Sequence, residues 1–171
     1  MSNQTGFLVG AAVKRRVPQS GDEWFHCAVR YLARFDRTAA QVERFLTRKG
    51  ASSTQAKQVI NRLWTLRYLN DRAYAARWIE SAMARRPMGH ERLKSELLTR
   101  GLSEALADEV VGGALQDVDE ETLARRALRI QRRNGRLHPR RTAYFLRQRG
   151  FAEETIERII ANCTETEGRE S

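Results

Sequence analysis

Arginine is the residue type whose number and spacing in this sequence point to chemistry. Ten arginines fall between Arg125 and Arg149, with no acidic residue among them. The chain has 31 basic and 21 acidic residues, so this segment holds an excess equal to the net charge of +10. Guanidinium groups bind carboxylates and phosphates through paired hydrogen bonds. The segment predicts contact with an anionic partner, and a solvated helix face or an arginine-rich genome is the alternative interpretation.

The spacing within this segment places its arginines on helix faces. Five of them recur every three or four residues and are expected to line one face over about three turns, and four more extend the surface onto the next helix. The candidate contact residues are Arg125, Arg129, Arg132, Arg133, Arg136, Arg140, Arg141, Arg147 and Arg149. Like charges at this spacing destabilise an isolated helix, so an anionic partner would compensate for them.

Residues suited to catalysis or metal binding do not form a recognisable constellation. His26, His90 and His138 are far apart, and Cys27 diverges from the adjacent His26 by about 100° on a helix. The carboxylates between Asp117 and Glu121 are interpreted as the acidic start of a helix. The pair at 112–113 matches no nucleotide-binding glycine motif. The sequence therefore predicts a protein that is not an enzyme and needs no cofactor or metal ion.

A repeat centred on three glycines organises the chain. Gly50, Gly101 and Gly150 each follow a basic residue, and a leucine lies four residues before each of them. Aliphatic residues follow nine and ten positions later, so both sides of the glycine show helical spacing. Glycine is favoured just after a helix, where the backbone becomes left-handed. The separation of 49 to 51 residues leaves room for a third helix in each repeat.

The predicted fold is all-α, with three tandem three-helix (helix-turn-helix-like) repeats that form an elongated, curved array. The nine helices are predicted at residues 22–35, 38–49, 53–67, 71–85, 89–100, 103–115, 119–134, 138–149 and 152–163. The predicted divisions are an N-terminal arm at 1–20, repeats at 21–68, 69–117 and 118–163, and a tail at 164–171. Helix starts are expected at Thr38, Ser52 or Ser53, Asn70 or Asp71, and Ser103.

The large aromatic residues are expected mainly to fill the repeat cores. They are Trp24, Tyr31, Trp64, Tyr68, Tyr74, Trp78, Tyr144 and Phe145. Since no apolar stripe is left over, a monomer is expected. No apolar run approaches the roughly 20 residues that span a bilayer, so no membrane contact is expected. Cys27 and Cys163 form no disulfide framework, which favours a reduced, cytoplasmic location.

Motifs in each repeat resemble those of the RecX family of RecA regulators. The first is the 28–33 helix followed by Arg37-Thr38, and the most specific is Tyr68-Leu69-Asn70-Asp71 with Tyr74 and Trp78 downstream. The third is Arg149-Gly150-Phe151, and the resemblance covers about residues 25–163. Gln41 departs from the family pattern, which commonly has Glu there, and Arg67 replaces a frequent Gly.

The resemblance implies an all-helical protein that docks onto the filament of RecA on single-stranded DNA. It implies inhibition of RecA strand exchange, ATP hydrolysis and coprotease activity, with no enzymatic activity or cofactor of its own. Its partners would be the RecA filament and, weakly and non-specifically, single-stranded DNA, with the basic third repeat making the contact. The alternative is a non-specific or helix-turn-helix-type nucleic-acid-binding protein that does not depend on RecA. A plain helical scaffold for another protein is a third interpretation.

Overall fold

The computed structural model describes residues 17–18, 20–131 and 138–167, with side chains up to residue 162. Within these residues the chain is all-helical. The helices are α1 (Gly21–Leu32), α2 (Ala39–Arg48), α3 (Ser53–Thr65), α4 (Asp71–Arg85), α5 (His90–Thr99), α6 (Glu104–Leu115), α7 (Glu120–Gln131), α8 (Pro139–Gln148) and α9 (Glu153–Glu167). These bounds confirm the nine predicted helices. None of the described helices is both long and apolar enough to span a bilayer.

Side-chain caps fix the helix starts where the sequence places them. Thr38, Ser52, Asn70 and Ser103 each accept a hydrogen bond from a backbone N–H in the first turn of the following helix. These bonds satisfy amides that have no partner within the helix. Gln41 completes a capping box, because its side-chain oxygen accepts from the Thr38 N–H at 3.2 Å. The amide at this position therefore makes the reciprocal bond that a glutamate would make.

The three repeat glycines end α2, α5 and α8 in the same way. Gly50, Gly101 and Gly150 have φ values of 103°, 87° and 71°, which confirms the predicted left-handed turns. In each turn the next residue donates its N–H to the carbonyl of the leucine four positions before the glycine. This bond defines a Schellman motif, which satisfies carbonyls at the helix end. The chain then turns directly into the third helix of the unit.

Each group of three helices surrounds its own apolar core. The first core lies among α1–α3, the second among α4–α6 and the third among α7–α9. The leucine before each glycine is buried, and so is an aliphatic residue nine or ten positions after it: Leu46, Leu97, Leu146, Val59, Val111 and Ile159. Met83 and Leu115 pack against both the second and the third core. The structure is thus an array of three small helical units.

The same kind of joint connects successive units. At the first joint, the Gly101 turn meets the start of α2, and the Thr38 hydroxyl donates to the Arg100 carbonyl at 2.7 Å. Asp71 also accepts from the Ala39 N–H at 2.9 Å. At the second joint, the Gly89 N–H before α5 donates to the Arg149 carbonyl at 2.8 Å. The glycine turns of the second and third units therefore each dock at the start of the second helix of the preceding unit.

The expectation that the large aromatic residues fill the cores is wrong for three of them. Trp24 and Tyr74 are buried, but Trp64, Tyr68 and Tyr144 are 41%, 53% and 66% exposed. Neighbouring aliphatic residues take the core positions instead. Leu63 and Leu69 are buried beside the exposed pair, and Leu146 is buried two residues after Tyr144.

Candidate anion-binding groove

Two adjoining cavities run along the joints between the units. The larger has a volume of about 930 Å³, and the smaller about 510 Å³. Trp78, Glu96 and Arg100 line both of them, so the two cavities form one groove. We call it the arginine groove, because eight arginines and two glutamates line it among the residues that the structure describes. The arginines are Arg37, Arg44, Arg48, Arg85, Arg86, Arg92, Arg100 and Arg149.

Helices from all three units build the groove. The α2 helix supplies Arg44 and Arg48, which are one turn apart and share a face. The α4 helix supplies Trp78 and Arg85. The α5 helix and the residue after it supply Arg92, Glu96 and Arg100, which recur every four residues, and α8 supplies Gln148. No described residue of α3, α6 or α9 lines the two cavities. The joints that connect the units therefore also align the arginines.

Glu96 holds two arginines at the centre of the groove. Its carboxylate accepts from Arg92 and from Arg100, each at 2.7 Å. The hydrogen bond from Arg100 is the main cause of a lowered pKa at Glu96, and the charge of Arg92 adds to it. Glu96 is thus ionised at neutral pH, and it fixes these two guanidinium groups.

Several positive charges lie close together around Arg149 at the second joint. Burial lowers the pKa of Arg149, and the nearby charges of Arg86 and Arg92 lower it further. Its guanidinium lies 4.9 Å from the Phe145 ring centroid and donates to the Pro87 carbonyl at 3.4 Å. Like charges in a partly desolvated place disfavour one another, and an anionic ligand would relieve this cost. The groove is therefore suited to binding phosphate or carboxylate groups.

The chain is similar in sequence to known proteins of one family. Models of the first and second three-helix domains of RecX match residues 25–63 and 70–111. Regulatory protein RecX of Treponema pallidum (strain Nichols) is 33% identical over 141 residues, covering 82% of this chain and 84% of the relative. The chain belongs to the RecX family. The Streptomyces coelicolor RecX protein is 32% identical over 149 residues, with 84% and 78% covered. RecX is a family of regulatory proteins.

A solved structure supports the family at the level of the fold. The crystal structure of RecX from Lactobacillus salivarius superposes with a TM-score of 0.66 at 25% identity, covering 83% of this chain and 95% of the other. The all-helical array predicted from the glycine repeat is therefore confirmed as the fold of a RecX family protein.

The arginines that the sequence singled out are spread over several environments in this RecX family structure. Arg125 pairs with Glu121 at 2.6 Å, and Arg147 pairs with Glu153. Both glutamates lie just outside the acid-free segment, so folding balances part of its charge. Arg129, Arg140 and Arg141 are exposed on α7 and α8. Arg132, Arg133 and Arg136 lie outside the described residues. Of the described candidates, only Arg149 lines the arginine groove.

The groove arginines of the first two units were missed from the sequence. In the sequence these arginines are interspersed with acidic residues, so the net charge counted over each segment is near zero. The structure separates them, because acidic residues of α6 pair away from the groove. Lys94 binds both Glu104 and Asp108 at 3.0 Å, and Arg72 pairs with Glu109. The available signal was helical spacing, since Arg44 and Arg48, and Arg92 and Arg100, recur at multiples of four residues.

Among the residues that the structure describes, no three His, Cys, Asp or Glu side chains come close enough to hold an ion. Cys27 is a free, partly buried thiol of α1. The candidate site is a basic groove lined in part by aromatic side chains.

Proposed function

We propose that this protein binds the RecA filament on single-stranded DNA through the arginine groove and inhibits RecA recombinase, ATPase and coprotease activity, thereby regulating DNA repair and recombination. The observation that carries the proposal is the alignment of eight arginines from three units in one groove. A nucleoprotein filament offers acidic side chains and phosphates, which guanidinium groups bind best. Contacts from three units add together, because the first contact raises the effective concentration of the next.

The arginines of α7 and α8 add a second surface to this proposal. Arg129, Arg140 and Arg141 are exposed, and their charge would attract the filament and weakly hold single-stranded DNA. We assign them to steering, whose strength falls steeply with salt. We assign the tighter, orientation-dependent contacts to the groove, where guanidinium groups are fixed by Glu96, Pro87 and aromatic rings.

The test is inhibition of RecA ATP hydrolysis on single-stranded DNA, with this protein titrated below the RecA concentration. Arg48→Glu with Arg86→Glu reverses two exposed groove charges. Arg129→Glu with Arg140→Glu reverses two charges of the third unit. Lys57→Glu with Arg158→Glu is the matched control, because α3 and α9 contribute nothing described to the groove.

We expect the groove variant to need at least about tenfold more protein for half-inhibition. The third-unit variant should show a smaller loss that disappears at high salt, and the control should match the wild type. A groove variant that inhibits as well as the wild type would refute the assignment of the groove. If the third-unit variant loses as much as the groove variant, its arginines belong to the contact itself.

RecA-independent recognition of a DNA sequence is the competing function. Titration with duplex DNA of varied sequence at physiological salt, without RecA, separates the two. Sequence-specific binding there would favour the competing function, whereas weak and salt-sensitive binding supports a filament regulator.

A further inference from the structure

The middle of the arginine groove contains a layered arrangement of three side chains. The Arg100 guanidinium lies 4.1 Å from the centroid of the Trp78 ring. Its Nη1 group donates to the Glu96 carboxylate at 2.7 Å and to the Glu96 carbonyl at 2.6 Å. Glu96 thus holds the guanidinium against the tryptophan.

This arrangement lies where the two cavities meet. Trp78, Glu96 and Arg100 are the three residues common to both. The Arg100 side chain is 25% exposed, and Arg100 lines both cavities. Tyr31 and Tyr74 add aromatic surface to the larger cavity, whose volume is within the range of small-ligand sites. A planar ligand can therefore reach the layer from the groove.

The bonding of Arg100 favours a planar ligand over an acidic one. Glu96 already occupies Nη1, so a carboxylate or phosphate would have to compete with it for that group. The flat face of a guanidinium stays available for stacking, and an aromatic ring behind it keeps it in place. Aromatic and arginine stacking surfaces in a basic groove are how proteins bind single-stranded nucleic acids.

We propose that the Trp78–Arg100 pair, held by Glu96, is a stacking site for a base of single-stranded nucleic acid. The base stacks on the pair, and neighbouring groove arginines such as Arg44 and Arg86 bind the flanking phosphates. This inference deepens the proposed function, on which it rests for placing the ligand in the groove. It adds that the groove contacts the nucleic acid of the filament as well as its protein.

The test compares two probes of equal charge without RecA. One is a 15-nucleotide oligothymidylate, and the other is the same oligonucleotide without bases. The wild type should bind the first at least about fivefold more tightly, which is the lower limit for one stacked base. Arg100→Lys keeps the charge but lacks the plane, so it should bind both probes nearly equally. Arg62→Lys is the matched control, because Arg62 also lies 4.1 Å from an aromatic centroid, that of Phe25, but does not line the groove, and this variant should keep the preference of the wild type.

Tryptophan fluorescence gives a second readout that needs no change at Arg100. In a Trp64→Phe protein, the remaining tryptophans are the buried Trp24 and the groove residue Trp78. Oligothymidylate should quench this fluorescence, and the abasic probe should not. Equal binding of both probes by the wild type, a preference retained by Arg100→Lys, or equal quenching by both probes would overturn the inference.

The outcomes also separate this inference from the proposed function. A base preference without RecA inhibition would refute only the proposed function. RecA inhibition that depends on Arg48 and Arg86, without a base preference, would refute only the stacking site.

Discussion

The Thr38 hydroxyl and the Arg100 carbonyl join the first two units through a hydrogen bond of 2.7 Å. Thr38 is fully buried at the start of α2, and Arg100 ends α5 in the next unit. The side chain of the same Arg100 lies on Trp78 in the groove. One residue therefore belongs both to the joint between units and to the candidate binding site, so the geometry of the joint determines the geometry of the site.

Thr38→Val tests the contribution of this joint to stability. Valine has nearly the same shape but cannot donate to the Arg100 carbonyl or accept from the Gln41 N–H. Since both a buried hydrogen bond and a helix cap are lost, we expect the free energy of unfolding to fall by about 2–3 kcal/mol. Urea denaturation followed by circular dichroism measures it.

The control for this variant is Thr47→Val. Thr47 is exposed, and its hydroxyl donates only to the Glu43 carbonyl in its own helix. Its stability should change by no more than about 0.5 kcal/mol. Equal changes in the free energy of unfolding of Thr38→Val and Thr47→Val would show that the hydrogen bond across the joint does not stabilise the protein.

Gly89→Ala tests the second joint by steric exclusion. A Cβ atom at Gly89 would overlap the Gly150 carbonyl, so the turn must move away from the start of α5. We expect a loss of about 1–3 kcal/mol in the free energy of unfolding. The matched variant is Gly112→Ala, where a Cβ meets nothing within 4 Å and α6 should gain about 0.5–1 kcal/mol. Chemical denaturation of both proteins should thus show opposite signs, and a neutral Gly89→Ala would mean that the joint is loose.

The repeat was predictable because its signals are local. Leu46 and Val59 lie within ten residues of Gly50, and their spacing alone places them on the buried sides of α2 and α3. The caps at Thr38 and Ser52 are similarly read from a few adjacent residues. Helix ends differ from the predicted ones by a few residues, because terminal turns are set by caps and by packing together.

The arginine groove was not predictable in the same way. Arg37 and Arg149 belong to different units, and they line the same groove only because two joints hold the three units side by side. Those joints depend on close backbone approaches at Gly89 and Gly101, which periodicity does not reveal. Local charge does not reveal the groove either, because its arginines in the first two units are interspersed with acidic residues in the sequence.

Arg67→Gly is expected to stabilise the first unit. Arg67 has φ 57° after α3, where the Tyr68 N–H donates to the Leu63 carbonyl as in the glycine turns. A non-glycine side chain in this conformation costs about 1–2 kcal/mol, and glycine removes that cost. Glycine also loses more conformational freedom on folding, which offsets part of the gain in stability. We therefore expect a gain of about 0.5–1 kcal/mol in urea denaturation. Arg67→Ala keeps the unfavourable φ and should match the wild type, so a similar gain in both variants would argue against backbone strain.

Glu96→Gln should change the pH dependence of stability. The hydrogen bond from Arg100 lowers the pKa of folded Glu96 below the ordinary value of a glutamate. The carboxylate therefore contributes stability that is fully present above the unfolded pKa and is lost as pH falls through the folded pKa. Glutamine lacks this contribution at every pH. The wild type should thus be more stable than the variant at pH 7, and the difference should shrink as pH falls below about 4.5.

Urea denaturation of both proteins between pH 3.5 and 7 measures this difference. Glu80→Gln removes the same charge from an exposed position of α4 and serves as the control. Its difference from the wild type should stay within about 0.5 kcal/mol at neutral pH. A Glu96→Gln difference that is constant over the whole range would mean that the carboxylate charge does not hold Arg92 and Arg100. In that case the layer of Glu96, Arg100 and Trp78 would depend on packing alone, and Glu96→Gln should leave binding of the oligothymidylate unchanged.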